Sequence, residues 1–141
     1  MSFGWSVGDI ALAIKTVVKV GKAVRETGGA ASEYQDAVSF LTSIEKTLRS
    51  LEALLREHPN LKWEAELIEQ GNNLKSAIGK FKDKIEKYER SLGEDSERGK
   101  AKRVPREVQF AVFVSDQVKE LRAQVMQPQV ILDNFIALQM L

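Results

Sequence analysis

Apolar residues recur at helical spacing along most of the chain. From residue 34 to 55 they follow alternating steps of three and four, and from residue 67 to 92 they do so again. Stripes of this kind, held for more than three heptads, are typical of long amphipathic helices. They predict helices over about 32–57 and 62–92. The stripe positions are Tyr34, Ala37, Leu41, Ile44, Leu48, Leu51 and Leu55 in the first helix and Leu67, Gly71, Leu74, Ile78, Phe81, Ile85, Tyr88 and Leu92 in the second.

The ends of these two helices carry recognisable signals. Ser32 and Gln35 predict a capping box at the start of the first helix. Pro59 ends that helix, because the residue before a proline disfavours helical geometry. A short turn containing Pro59 then joins two helices of nearly equal length. This layout predicts that 32–57 and 62–92 pack together as a long antiparallel hairpin.

An earlier segment carries a third amphipathic pattern. Either Ser6 or Asp9 is suited to cap it, and Gly28 and Gly29 mark its end. The valines of this segment leave a strand open as an alternative, but the apolar residues do not alternate strictly. The lysine stripe Lys15, Lys19 and Lys22 also has helical spacing. We therefore predict a helix whose other side is apolar, formed by Val7, Ile10, Ile14, Val17, Val18, Gly21 and Val24.

The C-terminal third begins with a charged stretch, 93–104, which predicts a mobile loop. A basic run around its second half, Lys100, Lys102, Arg103 and Arg106, is suited to lipid headgroups or nucleic acid, or is simply a solvated surface.

Two further helices are predicted after this loop. Pro105 suits the first turn of a short helix that runs through Phe113, and Ser115 is positioned to cap the last helix. Pro128 lies inside that last helix and should kink or divide it. Its predicted core positions are Val118, Leu121, Val125, Leu132, Phe135 and Leu138. The whole pattern predicts an all-α bundle of four to five helices in one domain, 1–141, with residues 1–8 as a mobile N-terminal segment.

Composition narrows the classes of function. The chain has no cysteine, which excludes disulfides and thiolate chemistry, and its net charge of +1 gives no overall attraction to nucleic acid. It shows no secretory signal and no apolar stretch of the roughly 18 residues that a membrane span needs. We therefore expect a cytoplasmic protein that does not bind nucleic acid.

The residue types offer little for catalysis. His58, the single histidine, stands next to Pro59, where a structural turn residue is the simpler interpretation. Glu64, Glu66 and Glu69 cluster near a helix start, where negative charge is favourable. The sequence has no glycine-rich phosphate loop and no ligand spacing typical of a metal site. We expect a protein that is not an enzyme and holds no cofactor.

Both ends of the chain resemble a known family. The opening SFGWSVGD, residues 2–9, is similar to the start of the N-terminal helical domains of fungal NOD-like (STAND) receptors. The segment VQFAVF, residues 108–113, resembles the closing helices of the same domains. Phe110 stands where that family pattern has tryptophan, and Pro128 departs from it. The middle of the chain matches only as amphipathic helix. Further matches in the closing part are Val118, Leu121, Arg122, Ile131 and Leu132.

This HeLo-like group is similar in architecture to the fungal HeLo domain and to the helical bundle of the mixed-lineage-kinase-domain-like protein. The resemblance implies an effector domain that oligomerises on receptor activation, moves to the plasma membrane and causes regulated cell death. It implies three partners: further copies of the chain, anionic membrane lipids, and a nucleotide-binding domain downstream in the same polypeptide. By matched motif alone, the membrane-active stretch is Phe3, Trp5 and Val7.

The physics of the first helix extends that stretch and also leaves an alternative open. From Val7 to Glu26 the helix is about 30 Å long, close to the hydrocarbon thickness of a bilayer. Its three lysines cost a lone spanning helix about 2.5–3.5 kcal/mol each, so several copies around a wet lumen are required. Alternatively, the apolar residues only pack within the bundle, and the domain is a non-lytic module that recruits partners or autoinhibits a receptor. The extended membrane-active segment is Phe3, Trp5, Val7, Ile10, Leu12, Ile14, Val17 and Val18.

Overall fold

Four helices account for almost all of the chain that the computed structural model describes, namely residues 6–28, 32–57, 64–98 and 106–139. They are α1 (Val7–Gly28), α2 (Ser32–Glu57), α3 (Glu64–Arg98) and α4 (Arg106–Gln139). No strand occurs within these ranges. The predicted all-α bundle is therefore confirmed.

A reciprocal capping box begins α1. The Asp9 backbone N–H donates to Ser6 Oγ at 3.0 Å, and the Ser6 N–H donates back to Asp9 Oδ2 at 3.3 Å. These bonds satisfy two donors that the helix start leaves without intrahelical partners. Hydrogen bonds with Ser6, assisted by the charge of Lys75, hold the pKa of Asp9 below its ordinary value. Both residues that the sequence offered as caps thus act together, with Ser6 preceding the helix.

The core contains most of the predicted stripe positions. One correction concerns α1, where Val20 is buried and Val18 is 39% exposed. A second concerns α4, where Leu138 lies 36% exposed at the end of the helix. Of the other predicted positions, Val7, Tyr34, Leu55, Tyr88 and Phe135 are only half-buried. The largest fully buried side chains are Ile10, Val17, Val20, Val24, Leu41, Ile44, Leu48, Leu51, Leu67, Leu74, Leu121 and Leu132.

The helices pair differently from the predicted hairpin. The most extensive interfaces join α1 to α2 and α3 to α4, while α4 also packs on α2 and α1. Within the described ranges, no Cα atom of α2 comes within 8 Å of one in α3. The close packing of α2 on α3 is therefore not confirmed. An a/d stripe specifies that a helix has an apolar face, but not which other helix covers it.

Named contacts fix the helix directions. Lys84 pairs with Glu120 and Tyr88 stacks on Phe113, so α3 and α4 run antiparallel. Between α2 and α4 the contacts advance together, from Phe40 with Arg122 to Thr47 with Asp133, so these two helices run parallel. By these directions α2 and α3 run in opposite senses, but they lie across the bundle from each other. The bundle consists of two sequence-adjacent hairpins, α1–α2 and α3–α4.

The last helix is continuous, which corrects the predictions that Ser115 starts a helix and that Pro128 divides one. Ser115 does not start a helix, because it lies inside α4 and is only 1% exposed. Pro128 also lies inside α4 and does not divide it, although a proline in a helix interior costs about 3 kcal/mol. Buried Val125 and Leu132 flank it on the core side and hold both halves against the bundle.

One other boundary differs from the prediction. The helix α3 continues through Arg98, past the predicted end at Leu92 and into the stretch predicted as a loop. The rest of that stretch, residues 99–104, and the first five residues of the chain lie outside the described residues.

Candidate functional site

The outward face of α1 combines positive charge with two exposed apolar side chains. Lys15, Lys19 and Lys22 are all exposed, as the sequence predicted for the lysine stripe. Leu12 and Val18 share this face and are 57% and 39% exposed. We refer to these five residues as the α1 outer face.

The predicted membrane-active segment is split between this surface and the core. Ile10, Ile14 and Val17 are at most 6% exposed, because they form the inner side of α1. Leu12 and Val18 belong to the outer face, and Val7 is half-buried. Phe3 and Trp5 lie outside the described residues. Half of the six described residues of the segment are therefore stored inside the bundle, while Leu12 and Val18 are already at the surface.

Two of the three lysines are close to carboxylates. Lys19 Nζ lies 3.7 Å from Glu89 Oε2 of α3, and Lys22 Nζ lies 4.0 Å from Glu26 Oε1 one turn further along α1. Both pairs are exposed, and exposed pairs contribute only about 0–1 kcal/mol to stability. An anionic surface therefore competes for these lysines at little cost.

A groove separates α1 from α3. These two helices have the least extensive contact of the helix pairs that touch. About 200 Å³ of water-accessible space lies between them, lined by Leu12, Ala13, Ile78 and Gly79. At one end Lys75 Nζ lies 4.0 Å from Asp9 Oδ2. The side of α1 that faces α3 is less covered than the sides that face α2 and α4.

Burial sets the cost of removing α1 alone. Five aliphatic side chains of α1 are fully or almost fully buried: Ile10, Ile14, Val17, Val20 and Val24. Burial of such a side chain is worth about 1.5–3 kcal/mol, so exposing all five to water costs about 8–15 kcal/mol. The total stability of a domain is about 5–15 kcal/mol. That total is what remains after conformational entropy is subtracted, whereas the burial figure is gross, so the comparison shows only that the inner side of α1 contributes strongly to holding it in the bundle.

A polar layer lies at the interface of α2 and α4. Gln129 Nε2 donates to Ser43 Oγ at 2.8 Å and to Thr47 Oγ1 at 3.2 Å. The Thr47 hydroxyl in turn donates to Asp133 Oδ1 at 2.8 Å. Thr47 and Gln129 are buried, with 3% and 7% exposure. We refer to Ser43, Thr47, Gln129 and Asp133 as the polar layer.

Sequence reasoning missed this layer, although the sequence held two signals. Thr47 lies three residues after Ile44 and four before Leu51, which places it on the apolar stripe of α2. The predicted stripe of α4 jumps seven residues from Val125 to Leu132, and Gln129 fills the missing position.

A small cavity adjoins the same interface. It is partly open to the surface, has about 70 Å³ of water-accessible space and is lined by residues of both helices, including Ala37, Phe40, Ser115 and Arg122. The Arg122 guanidinium lies 5.8 Å from the centre of the Phe40 ring. Ser115 Oγ is buried and makes no hydrogen bond to any described residue. The interface of α2 with α4 is thus less completely packed and more polar than an apolar helix seam.

The remaining predicted features are the basic run, the single histidine, and the absence of a metal site and of a membrane span. Lys100, Lys102 and Arg103 of the basic run, like His58, lie outside the described residues, and Arg106 is the first residue of α4. Among the described residues no group of three or more His, Asp or Glu side chains is placed to hold a metal ion. None of the described helices combines the length and the apolar character needed to cross a bilayer.

Comparisons with protein-family models, with curated proteins and with solved structures gave no match to this chain.

Proposed function

We propose that the chain is a membrane-targeting effector domain of a fungal NOD-like receptor, and that it causes regulated cell death through α1. The observation that carries the proposal is the two-sided character of α1. Lys15, Lys19 and Lys22 are exposed, while Ile10, Ile14 and Val17 on the opposite side are stored in the core. A helix of this kind binds an anionic lipid surface when its apolar side becomes free.

The proposed assembly contains several copies of the chain. The 22 residues of α1 span about 33 Å, which matches a hydrocarbon core of about 30 Å. A single α1 does not cross a bilayer, since its lysines are too costly there. Several copies place Lys15, Lys19 and Lys22 around a wet lumen and turn the opposite, apolar side of α1, with Ile10, Ile14 and Val17, toward neighbouring helices or lipid.

The remaining parts of the proposal follow from the resemblance of both chain ends to the HeLo-like group. The resting protein is cytoplasmic and is kept inactive until its receptor assembles. It then relocates to the plasma membrane, with anionic lipids and further copies of the chain as partners. A nucleotide-binding domain downstream in the same polypeptide is the third proposed partner. The domain has no enzymatic role and needs no cofactor.

A second candidate function is a non-lytic interaction module that recruits partners or autoinhibits a receptor. The burial of Ile10, Ile14 and Val17 favours it, because these residues already have a structural role in the bundle. In this case α1 never leaves the bundle, and its lysines are an ordinary solvated surface.

Dye release from anionic liposomes separates the two candidates. We expect the wild-type domain to release dye and the variant Lys15→Glu/Lys19→Glu/Lys22→Glu to lose most of that activity. The matched control is Lys46→Glu/Lys80→Glu/Lys87→Glu, which changes three exposed lysines on α2 and α3 and alters the net charge equally. It should keep the activity, and thermal unfolding should show that both variants are folded.

A version lacking residues 1–5 tests Phe3 and Trp5 without removing the Ser6 cap. Equal behaviour of all four proteins would contradict the membrane proposal and favour the interaction module.

A further inference from the structure

We infer that the unit which leaves the bundle is the whole α1–α2 hairpin, residues 7–57, and that it opens along the interface of α2 with α4. The purpose of this opening rests on the proposed membrane function. The opening itself is a property of the free protein and is measurable without a membrane.

The hairpin is held together by the more extensive of the two interfaces that α2 makes. The contact of α1 with α2 exceeds that of α2 with α4. Gly21 is buried in it, and a Cβ built on Gly21 would lie 3.9 Å from Leu41 Cβ, at ordinary van der Waals distance. Only residues 29–31 separate the two helices in the chain.

The interface between α2 and α4 has the opposite character. It contains the polar layer, the cavity of about 70 Å³ and the unpartnered hydroxyl of Ser115. When α2 and α4 separate, the polar groups of this layer regain hydrogen bonds from water, so exposing them costs less free energy than exposing apolar groups does. The described ion pairs from α1 to α3, Asp9 with Lys75 and Lys19 with Glu89, are exposed and weak.

These differences decide which boundary opens. If α1 leaves alone, it gives up its extensive contact with α2 and its contacts with α4 and α3. If α1 and α2 leave together, the contact between them is kept and the polar interface of α2 with α4 is lost instead. Partial opening of a protein follows the boundary that exposes the least apolar surface. The hairpin also presents two apolar inner sides to a membrane at once.

Thiol labelling of the free protein tests this inference, because the chain has no cysteine of its own. Ser115→Cys reports on the interface of α2 with α4, and Gly21→Cys reports on the interface of α1 with α2. Both positions are buried, so a reagent too bulky for the cavity reacts only after opening. Rates are divided by those of the same variants unfolded in urea.

We expect Ser115→Cys to react at least about tenfold faster than Gly21→Cys under native conditions, with both slower than in urea. Release of α1 alone would make Gly21→Cys react as fast or faster, and would overturn the inference. Equal rates that match global unfolding would overturn it as well, since no partial opening then occurs.

Cross-links extend the test to the liposome assay. A disulfide in Gly21→Cys/Leu41→Cys ties α1 to α2, and the 3.9 Å between the Cβ positions fits disulfide geometry. A short thiol-reactive linker in Ser43→Cys/Gln129→Cys ties α2 to α4. Dye release should survive the first cross-link and be lost with the second, each compared with its own unlinked form.

The reverse result, in which the disulfide blocks release and the linker does not, would show that α1 acts alone. If the wild-type domain releases no dye at all, the membrane proposal fails, while the thiol rates still decide how the bundle opens.

Discussion

The polar layer gives the sharpest test of how the bundle is held. Thr47→Val removes a hydroxyl that donates to Asp133 at 2.8 Å and accepts from Gln129 at 3.2 Å. Gln129 is 7% exposed, so its amide has little access to water as a replacement partner. A buried polar group left short of a partner costs about 1–3 kcal/mol. We expect Thr47→Val to lower the free energy of unfolding by this amount.

The double variant Thr47→Val/Gln129→Leu tests whether the two side chains stabilise the fold as a pair. Gln129→Leu alone should also destabilise, because it leaves the Thr47 hydroxyl with one contact fewer. When both are changed, no amide remains unsatisfied, and the total loss should fall below the sum of the single losses by about 0.5–3 kcal/mol.

Urea unfolding followed by circular dichroism measures these differences. Thr42→Val is the matched control, since the Thr42 hydroxyl is on the exposed side of α2 and, among the described residues, bonds only the carbonyl of Val38, one turn earlier. It should change stability by less than about 0.5 kcal/mol. Additive losses in the double variant, or an equal loss from Thr42→Val, would refute the proposed role of the layer.

Three further predictions follow from individual residues. Ser115→Ala should raise the free energy of unfolding by about 1–3 kcal/mol, because it removes a buried hydroxyl without a described partner; a loss of stability in urea unfolding would contradict this. Gly79→Ala should stabilise by about 0.5–1 kcal/mol in the same assay, since an added Cβ meets nothing within 4 Å; destabilisation would mean that something else covers the groove. Because the pKa of Asp9 is lowered in the folded protein, the ionised carboxylate stabilises the fold at pH values above the ordinary pKa of 3.8. That contribution is lost as the pH falls through the lower pKa that Asp9 has in the folded protein. Asp9→Asn should therefore make the free energy of unfolding depend less on pH in this acidic range. An unchanged pH dependence in the variant would show that the capping box does not cause it.

The inner sides of α1, α2 and α3 were predictable because their apolar residues follow the helical period closely. Leu41, Ile44, Leu48 and Leu51 are all buried as the stripe required. Ser6 and Asp9 were likewise readable as candidate caps, because capping depends only on residues within one turn, although the sequence offered them as alternatives and the structure joins them in one capping box.

The course of α4 was less readable because this helix is apolar on more than one side. Val112, Met126 and Val130 are exposed, while Val118, Leu121 and Val125 are buried on the opposite side. The pattern therefore gives little directional information, and Pro128 and Ser115 suggested breaks that do not occur. Packing of the flanking core residues outweighs the local preference of one proline.

The sequence by itself determined that the chain is helical, where the first helix begins, and which side of each of the first three helices turns inward. These properties depend on spacing and capping within a few residues. Only the tertiary structure decided that α1 pairs with α2 and α3 with α4, and that Thr47 of α2 meets Gln129 of α4. Helix stripes of the same period fit one another in several combinations, so the choice of partner depends on how all four side-chain surfaces fill the core at once.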